Sequence, residues 1–280
     1  MLIDLGLVVG FVGGAIAKAG TTFTSFGNPD EVLVSSGFLG ALIAGFLGGF
    51  VILFLRKIFS FMPKSLEGIR TILIYPVAGI LLIAIIMLLI NPFVSAINTG
   101  LNNFLFSMSG VNKVILGAIL AGMMSVDLGG PVNKAAYTFG TGMLAEGHYE
   151  IMAAVMIGGM VAPLAIAILA TFFPKKLPQK ERQAGLLNYI MGLSFISEGA
   201  IPFASADPIR VLPACVVGSA VSGALSMAFN CSLMAPHGGI FVLPLIGNAG
   251  WYVLALVIGS LVATGIMSLL KKNVWGKVEK

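Results

Sequence analysis

The chain has 280 residues, of which 58% are hydrophobic and only 10% charged, with a mean hydropathy of +1.03. Soluble domains carry about 25% charged residues, so that class is excluded and the chain reads as an all-α polytopic membrane protein. Two cysteines exclude a disulfide framework, and a net charge of +5 sorted into separate linkers gives no sign of nucleic-acid binding.

A spanning helix needs about 20 apolar residues. Stretches that meet this lie at 2–20, 37–55, 71–96, 151–173, 208–229 and 250–270. The first ten residues contain Asp4 and no basic residue, so the positive region of a secretory signal is missing and this segment reads as a retained span. Arg56, Lys57, Lys64 and Arg70 fill one linker, Lys175, Lys176, Lys180 and Arg182 a second, and Lys271, Lys272, Lys277 and Lys280 the C-terminal tail. The positive-inside bias puts all three groups, and with them the C-terminus, in the cytoplasm. Asp30, Glu31 and the Asn-rich stretch at 98–103 then fall outside. Four further apolar stretches, at 116–128, 135–144, 186–196 and 236–246, are short and interrupted by Gly or Pro. Re-entrant or half-spanning helices fit them. Residues 1–280 read as one transmembrane domain with no soluble domain.

Polar residues gather at the chain breaks. In Ser125-Val-Asp-Leu-Gly-Gly-Pro-Val-Asn-Lys134, Gly129 and Gly130 allow close backbone approach, and Pro131 suits the first turn of a following helix. Asp127 and Asn133 offer an acceptor and a donor to sugar hydroxyls. The alternative is that Asp127 caps the next helix while Lys134 pairs with it or reaches the interface.

The second break, Phe195-Ile-Ser-Glu-Gly-Ala-Ile-Pro-Phe-Ala204, carries Glu198 and Gly199. Asp207-Pro208 reads as a helix cap, with Arg210 placed to pair with it. Glu198 has no such local duty, and an intramembrane carboxylate usually faces a cavity, a partner or a substrate. It is the leading candidate to accept two hydroxyls of a neutral polyol. The third break, Ala235-Pro-His-Gly-Gly-Ile-Phe241, sets His237 and Gly238 between the last apolar segments, where the histidine is as readily structural as substrate-binding. One histidine cannot make a metal site, and no metal or cofactor is expected. His148, between Glu146 and Glu150, reads as a solvent-exposed turn residue. Cys215 and Cys231, in apolar surroundings, read as buried small hydrophobes.

These segments, together with Ala206-Asp-Pro-Ile-Arg-Val211 and Ala235-Pro-His-Gly-Gly-Ile-Phe-Val-Leu-Pro244, resemble the enzyme IIC component of the fructose branch of the bacterial phosphoenolpyruvate-dependent sugar phosphotransferase system. The resemblance implies a homodimeric elevator-type fold in the cytoplasmic membrane, with scaffold helices holding a mobile substrate domain that contains two re-entrant hairpins. It also implies that Glu198 and His237 contact fructose or a related hexose, with Asp127, Asn133, Lys134, Gly129, Gly130, Gly199 and Gly238 around them. Set against that family, the resemblance implies a chain short at its N-terminus, without the first spans, and with neither a IIA nor a IIB domain. A phosphorylated IIB partner would therefore bring the phosphate, and membrane lipid would surround the carrier. Two other functional classes remain open: an ion-coupled secondary sugar transporter, and a membrane enzyme using Glu198 and His237 as acid and base.

Overall fold

A computed structural model describes residues 2–22, 35–107 and 111–273. Asp30, Glu31, Lys277 and Lys280 lie outside the described residues. The chain forms two compact units, Met1–Ser107 and Met108–Lys280.

The first unit is built from α1 (Leu2–Ala19), α2 (Gly37–Ile58) and α4 (Tyr75–Ser107), with a single helical turn, α3 (Glu67–Ile69), and a π-turn over Arg70–Ile74 leading into α4. Its core holds Val9, Ala17, Ala44, Ile52, Ile83 and Met87. Glycines let α1 and α2 touch backbone to backbone: a β-carbon on Gly48 would stand 2.6 Å from the amide nitrogen of Gly10. This close approach by small residues is how apolar helices pack where lipid gives no hydrophobic driving force. Asn91, buried in the middle of α4, donates through Nδ2 to the carbonyls of Ile16 (3.3 Å) and Thr21 (2.8 Å) and meets Ser36 Oγ through Oδ1. A neighbouring helix thus satisfies the Thr21 carbonyl just beyond α1 and adds a second bond to the Ile16 carbonyl, which also accepts from the Gly20 amide. Outward-facing Phe11, Phe46, Phe50, Ile72 and Phe93 are each more than half exposed, as a lipid-facing surface requires.

The second unit is organised around α7 (Tyr149–Phe172), whose most apolar stretch is 94% buried. Packed on it are α5 (Val111–Val126), α6 (Pro131–Ala145), α8 (Gln179–Leu193), α10 (Pro208–Ala228) and α11 (Ala249–Leu270). Glycines again set the spacing: the α5–α10 contact places Gly117 and Gly223 against each other's carbonyls, and Gly158 of α7 lies on Ala121. Buried hydroxyls join the helices, with Ser125 Oγ 2.6 Å from Ser219 Oγ and Ser219 Oγ donating to Gly158 O at 2.8 Å. Cys215 and Cys231 are buried free thiols, as their surroundings suggested.

Among the described residues, five helices are long and apolar enough to cross a membrane. Two of them, Leu39–Phe61 and Glu67–Gly100, belong to the first unit, and Tyr149–Phe172, Pro208–Ala228 and Ala249–Leu270 to the second. The short stretches 116–128, 135–144 and 186–196 fall on α5, α6 and α8, none longer than 16 residues. Residues 236–246 differ from the helical expectation. Gly238 and Gly239 hold positive φ and Pro244 lacks an amide donor, so this segment runs as 3-10 turns over Gly239–Leu245. It hangs between β1 (Ser232–Leu233) and β2 (Ile246–Gly247), which pair antiparallel.

Candidate functional site

Three chain breaks of the second unit converge, and each reaches the convergence from a fixed base. The α5–α6 pair starts where Lys113 reaches Glu150 at 3.3 Å, at the first turn of α7, and turns back at Asp127–Gly130. The arm made of α8, the Ser197–Ala200 turn and α9 (Ile201–Ala206) comes from the opposite end of α7. At its base Asp207 binds Arg210 (3.2 Å) and Lys271 (3.3 Å), and Lys176 donates to the carbonyl of Lys271 at 2.7 Å. The 231–247 loop is closed at its own base by Asn248, which donates to the carbonyls of Phe229 and Asn230.

At the first tip, Asp127 Oδ2 accepts from the amide of Val132 (2.7 Å) and Oδ1 from that of Asn133 (2.9 Å). Asp127 therefore caps α6, the structural alternative the sequence left open, and its carboxylate also borders a cavity of about 240 Å³ whose far wall includes Ile201, Ala204 and Ser205. That lies below the 300–1,000 Å³ of drug-sized sites, and its lining does not include Glu198, Asn133 or His237. Leu128 at φ 48° and Gly129 at φ 106° reverse the chain, the leucine at a cost of about 1–2 kcal/mol for a left-handed non-glycine residue.

At the second tip, Glu198 lies over Gly129. A β-carbon on that glycine would stand 2.8 Å from Glu198 Oε1, so a side chain there would displace the carboxylate, and the φ of 106° itself favours glycine. Glu198 is exposed and makes no hydrogen bond or ion pair among the described residues. Asn133 ties the two tips together, with Nδ2 2.6 Å from Met124 O and 3.5 Å from Ser197 Oγ. Gly199 packs directly on the buried Asn188 side chain. Lys134 is exposed on α6 and has no ion pair among the described residues, so it does not pair with Asp127.

The third break brings His237 to the same place. Its ring sits edge-on to Phe195 with centroids 5.0 Å apart and 6.3 Å from Tyr137, while Tyr137 and Phe195 are 6.1 Å apart. Gly239 (φ 58°) presses on the backbone of Leu193 and Phe195, and Gly238 (φ 129°) makes the reversal that precedes it. The structure thus gathers Gly129, Glu198, Asn133 and His237 around two facing tips. Phe195, Ser197, Tyr137 and Asn188 join them without having been singled out from the sequence. Tyr137 stands one helical turn beyond Asn133, a spacing that puts both on one face. Left-handed backbone at a phenylalanine has no sequence signature.

Asp207 is the N-cap residue of α10 and pairs with Arg210, as the sequence suggested, but its side chain makes no capping bond and its carboxylate also holds Lys271. Burial pushes its pKa up, but hydrogen bonds and charge from the two cations outweigh this and leave it below the ordinary value. His148 is buried rather than exposed; burial lowers its pKa, partly opposed by Glu150 and Glu146. No group of three or more His, Cys, Asp and Glu able to hold a metal occurs among the described residues. A cavity of about 1010 Å³ lies in the first unit against Gly10, Gly14, Gly45 and Gly49, and no carboxylate lines it.

Helices of this length and polarity, with buried hydroxyl ties and glycine contacts, define a multi-pass membrane protein. Residues 5–218 match the family model for the phosphotransferase system EIIC component, and the chain belongs to that family, on its fructose branch. It is 46% identical over 272 residues to the fructose permease IIC component of Bacillus amyloliquefaciens, covering 96% of this chain and 89% of that one. It is likewise 46% identical over 275 residues to the fructose-specific EIIABC component of Bacillus subtilis, covering 98% of this chain but 43% of that protein. Identity to the fructose-specific EIIB'BC component of Rhodobacter capsulatus is 48% over 217 residues, 76% of this chain and 38% of the other. The chain therefore spans less than half the length of the multidomain relatives it matches. No solved structure matches it significantly.

Proposed function

We propose that this chain is the sugar-translocating subunit of a phosphotransferase permease, binding fructose or a closely related hexose between the two tips and presenting it to a phosphorylated IIB partner. The observation that carries the reading is the meeting of Glu198 with the Gly129 break inside an apolar fold. A carboxylate kept clear of local partners is a strong acceptor for neighbouring hydroxyls. Asn133, whose Nδ2 is engaged by Met124 O and Ser197 Oγ, offers its Oδ1 as an acceptor from α6, and the His237 ring offers a donor from the third break. The carrier contributes position and access rather than covalent chemistry, and phosphorylation by the partner traps the product inside.

The α8–α9 arm and the 231–247 loop are read as re-entrant elements that begin and end on one side, with the second unit as the moving body of an elevator-type homodimer. The basic groups around Lys175 and Lys271 are read as cytoplasmic, which puts the C-terminus inside with the partner and next to anionic lipid headgroups. The family and its relatives favour this over ion-coupled transport. The test is a vesicle assay: the purified chain with a phosphorylated fructose IIB protein should convert external fructose to internal fructose phosphate, and unphosphorylated IIB should not. Cys215→Ser combined with Cys231→Ser should retain this activity. Uptake that ignores IIB and collapses with an ion gradient would sink the reading.

A further inference from the structure

Three helices of the second unit end in the same hydrogen-bonded reversal. After α6, the amide of His148 donates to Met143 O (2.9 Å) and that of Gly147 to Leu144 O, with Gly147 at φ 89°. After α10, the amide of Cys231 donates to Ser226 O (2.9 Å) and that of Asn230 to Met227 O, with Asn230 at φ 51°. After α8, the amide of Ile196 donates to Met191 O (2.8 Å) and that of Phe195 to Gly192 O, with Phe195 at φ 63°. This Schellman closure needs a left-handed residue, normally Gly and sometimes Asn. Two of the three obey. The third carries a bulky aromatic residue where glycine would be less strained, so the ring has a use that the turn does not supply.

What the ring touches identifies the use. Phe195 is nearly buried, and its edge occupies a notch in α7 that exists because residue 159 is glycine; a β-carbon there would collide with Phe195 Cε2. Its other side meets the His237 ring at 5.0 Å in an edge-on arrangement, a favourable aromatic geometry. Gly239, two residues after His237, rests on Leu193 O and the Phe195 amide. Of the two rings that meet the exposed His237 ring, Tyr137 at 6.3 Å and Phe195 at 5.0 Å, the nearer is buried and backbone-strained and is anchored in the most buried helix of the unit.

We propose that Phe195 is a positioning residue: seated in the Gly159 notch, it fixes the His237 ring at the sugar site, and its left-handed backbone is retained for that purpose. The proposal rests on the reading of His237 as a sugar contact. The two are separated by a binding cycle on the full chain in detergent, with radiolabelled fructose as the probe. Phe195→Gly removes the ring and leaves the reversal with its preferred residue, so the variant should stay monodisperse while affinity falls about tenfold. His237→Ala should weaken binding to a similar degree. The double variant should bind no worse than His237→Ala alone, because a residue acting through another adds nothing once that residue is gone. Gly159→Ala, which keeps the phenylalanine but fills its notch, should reproduce the loss, and it carries the cycle should Phe195→Gly fail to fold. Unchanged affinity in His237→Ala would remove His237 from the site. A normal effect of His237→Ala, with either wild-type affinity in Phe195→Gly and Gly159→Ala or full additivity in the double variant, would overturn the positioning role.

Discussion

Gly129 and Glu198 sit on different chain breaks, yet the space for a β-carbon on the first is taken by the carboxylate of the second, 2.8 Å away. Gly129→Ala therefore meets two obstacles, a φ of 106° that alanine adopts poorly and a direct collision with Glu198. It should displace the carboxylate and lower fructose affinity at least tenfold, about 1.4 kcal/mol, by equilibrium binding. Wild-type affinity would dissociate the Gly129 break from the sugar site.

Glu198→Gln keeps the shape and removes the charge. Because Glu198 has no hydrogen bond or ion pair to lose among the described residues, membrane insertion and thermal stability should be unchanged while uptake is abolished. Transport at the wild-type rate would mean the carboxylate does not receive the sugar.

Asp127 has a helix-capping duty whether or not it also touches sugar. Asp127→Ala strands the amides of Val132 and Asn133 and should cost about 1–2 kcal/mol of stability, read as a lower melting temperature in detergent. Asp127→Asn keeps one acceptor and should recover most of it. If Asn is as stable as Asp but transports poorly, the charge serves the ligand; full uptake by Asp127→Asn would confine Asp127 to the cap.

The Asp207 carboxylate titrates below its ordinary value of 3.8 in the folded protein. A carboxylate with a depressed folded pKa stabilises the fold above its unfolded pKa, and this contribution fades as pH falls from there through the folded value. Acidification below about pH 4 should therefore lower the melting temperature, more in wild type than in Asp207→Asn. Equal acid sensitivity of the two proteins would show that the Arg210 and Lys271 contacts do not stabilise the base of the arm.

At the α5–α10 crossing, a methyl group on Gly223 would collide with Ala121 and with the carbonyl of Gly117. Gly223→Ala should destabilise the second unit by about 1–3 kcal/mol, the usual range for overpacking, and Ala121→Gly in the same chain should restore part of it. A Gly223→Ala protein of unchanged stability would mean the helices separate without penalty.

Much of this was legible in the residues. Apolar length located five of the six expected spans, stretch 2–20 giving only the shorter apolar helix Leu5–Ala19 among the described residues, and Gly129, Pro131, Glu198, Pro202 and His237 marked the breaks, because a break in lipid needs both a backbone reason and a polar reason. The sequence did not show which breaks meet, since that depends on where α7 seats its neighbours. Nor did it distinguish Asp127 as a cap from Asp127 as a ligand, because both uses draw on the same oxygens. Phe195 and Tyr137 carry no mark that sets them apart from other aromatic residues of the chain, and His148, in an acidic turn, gave no sign of burial. Residues 236–246 read as a half-helix because hydropathy responds to Ile240, Val242 and Leu243 and is blind to the backbone of Gly238 and Gly239.

The near-complete enclosure of α7 bears on assembly. By hydropathy alone this helix would settle in a bilayer as readily as any other, and before its neighbours arrive its whole circumference is covered by acyl chains. In the finished protein those chains have been stripped away and replaced by side chains from five other helices. Desolvation from lipid is therefore concentrated on one segment, and a polar substitution there is penalised twice, once on insertion and again on docking. Lipid composition, by contrast, can act on the finished protein only through the outer helices, since the axis of the second unit no longer touches the membrane it entered.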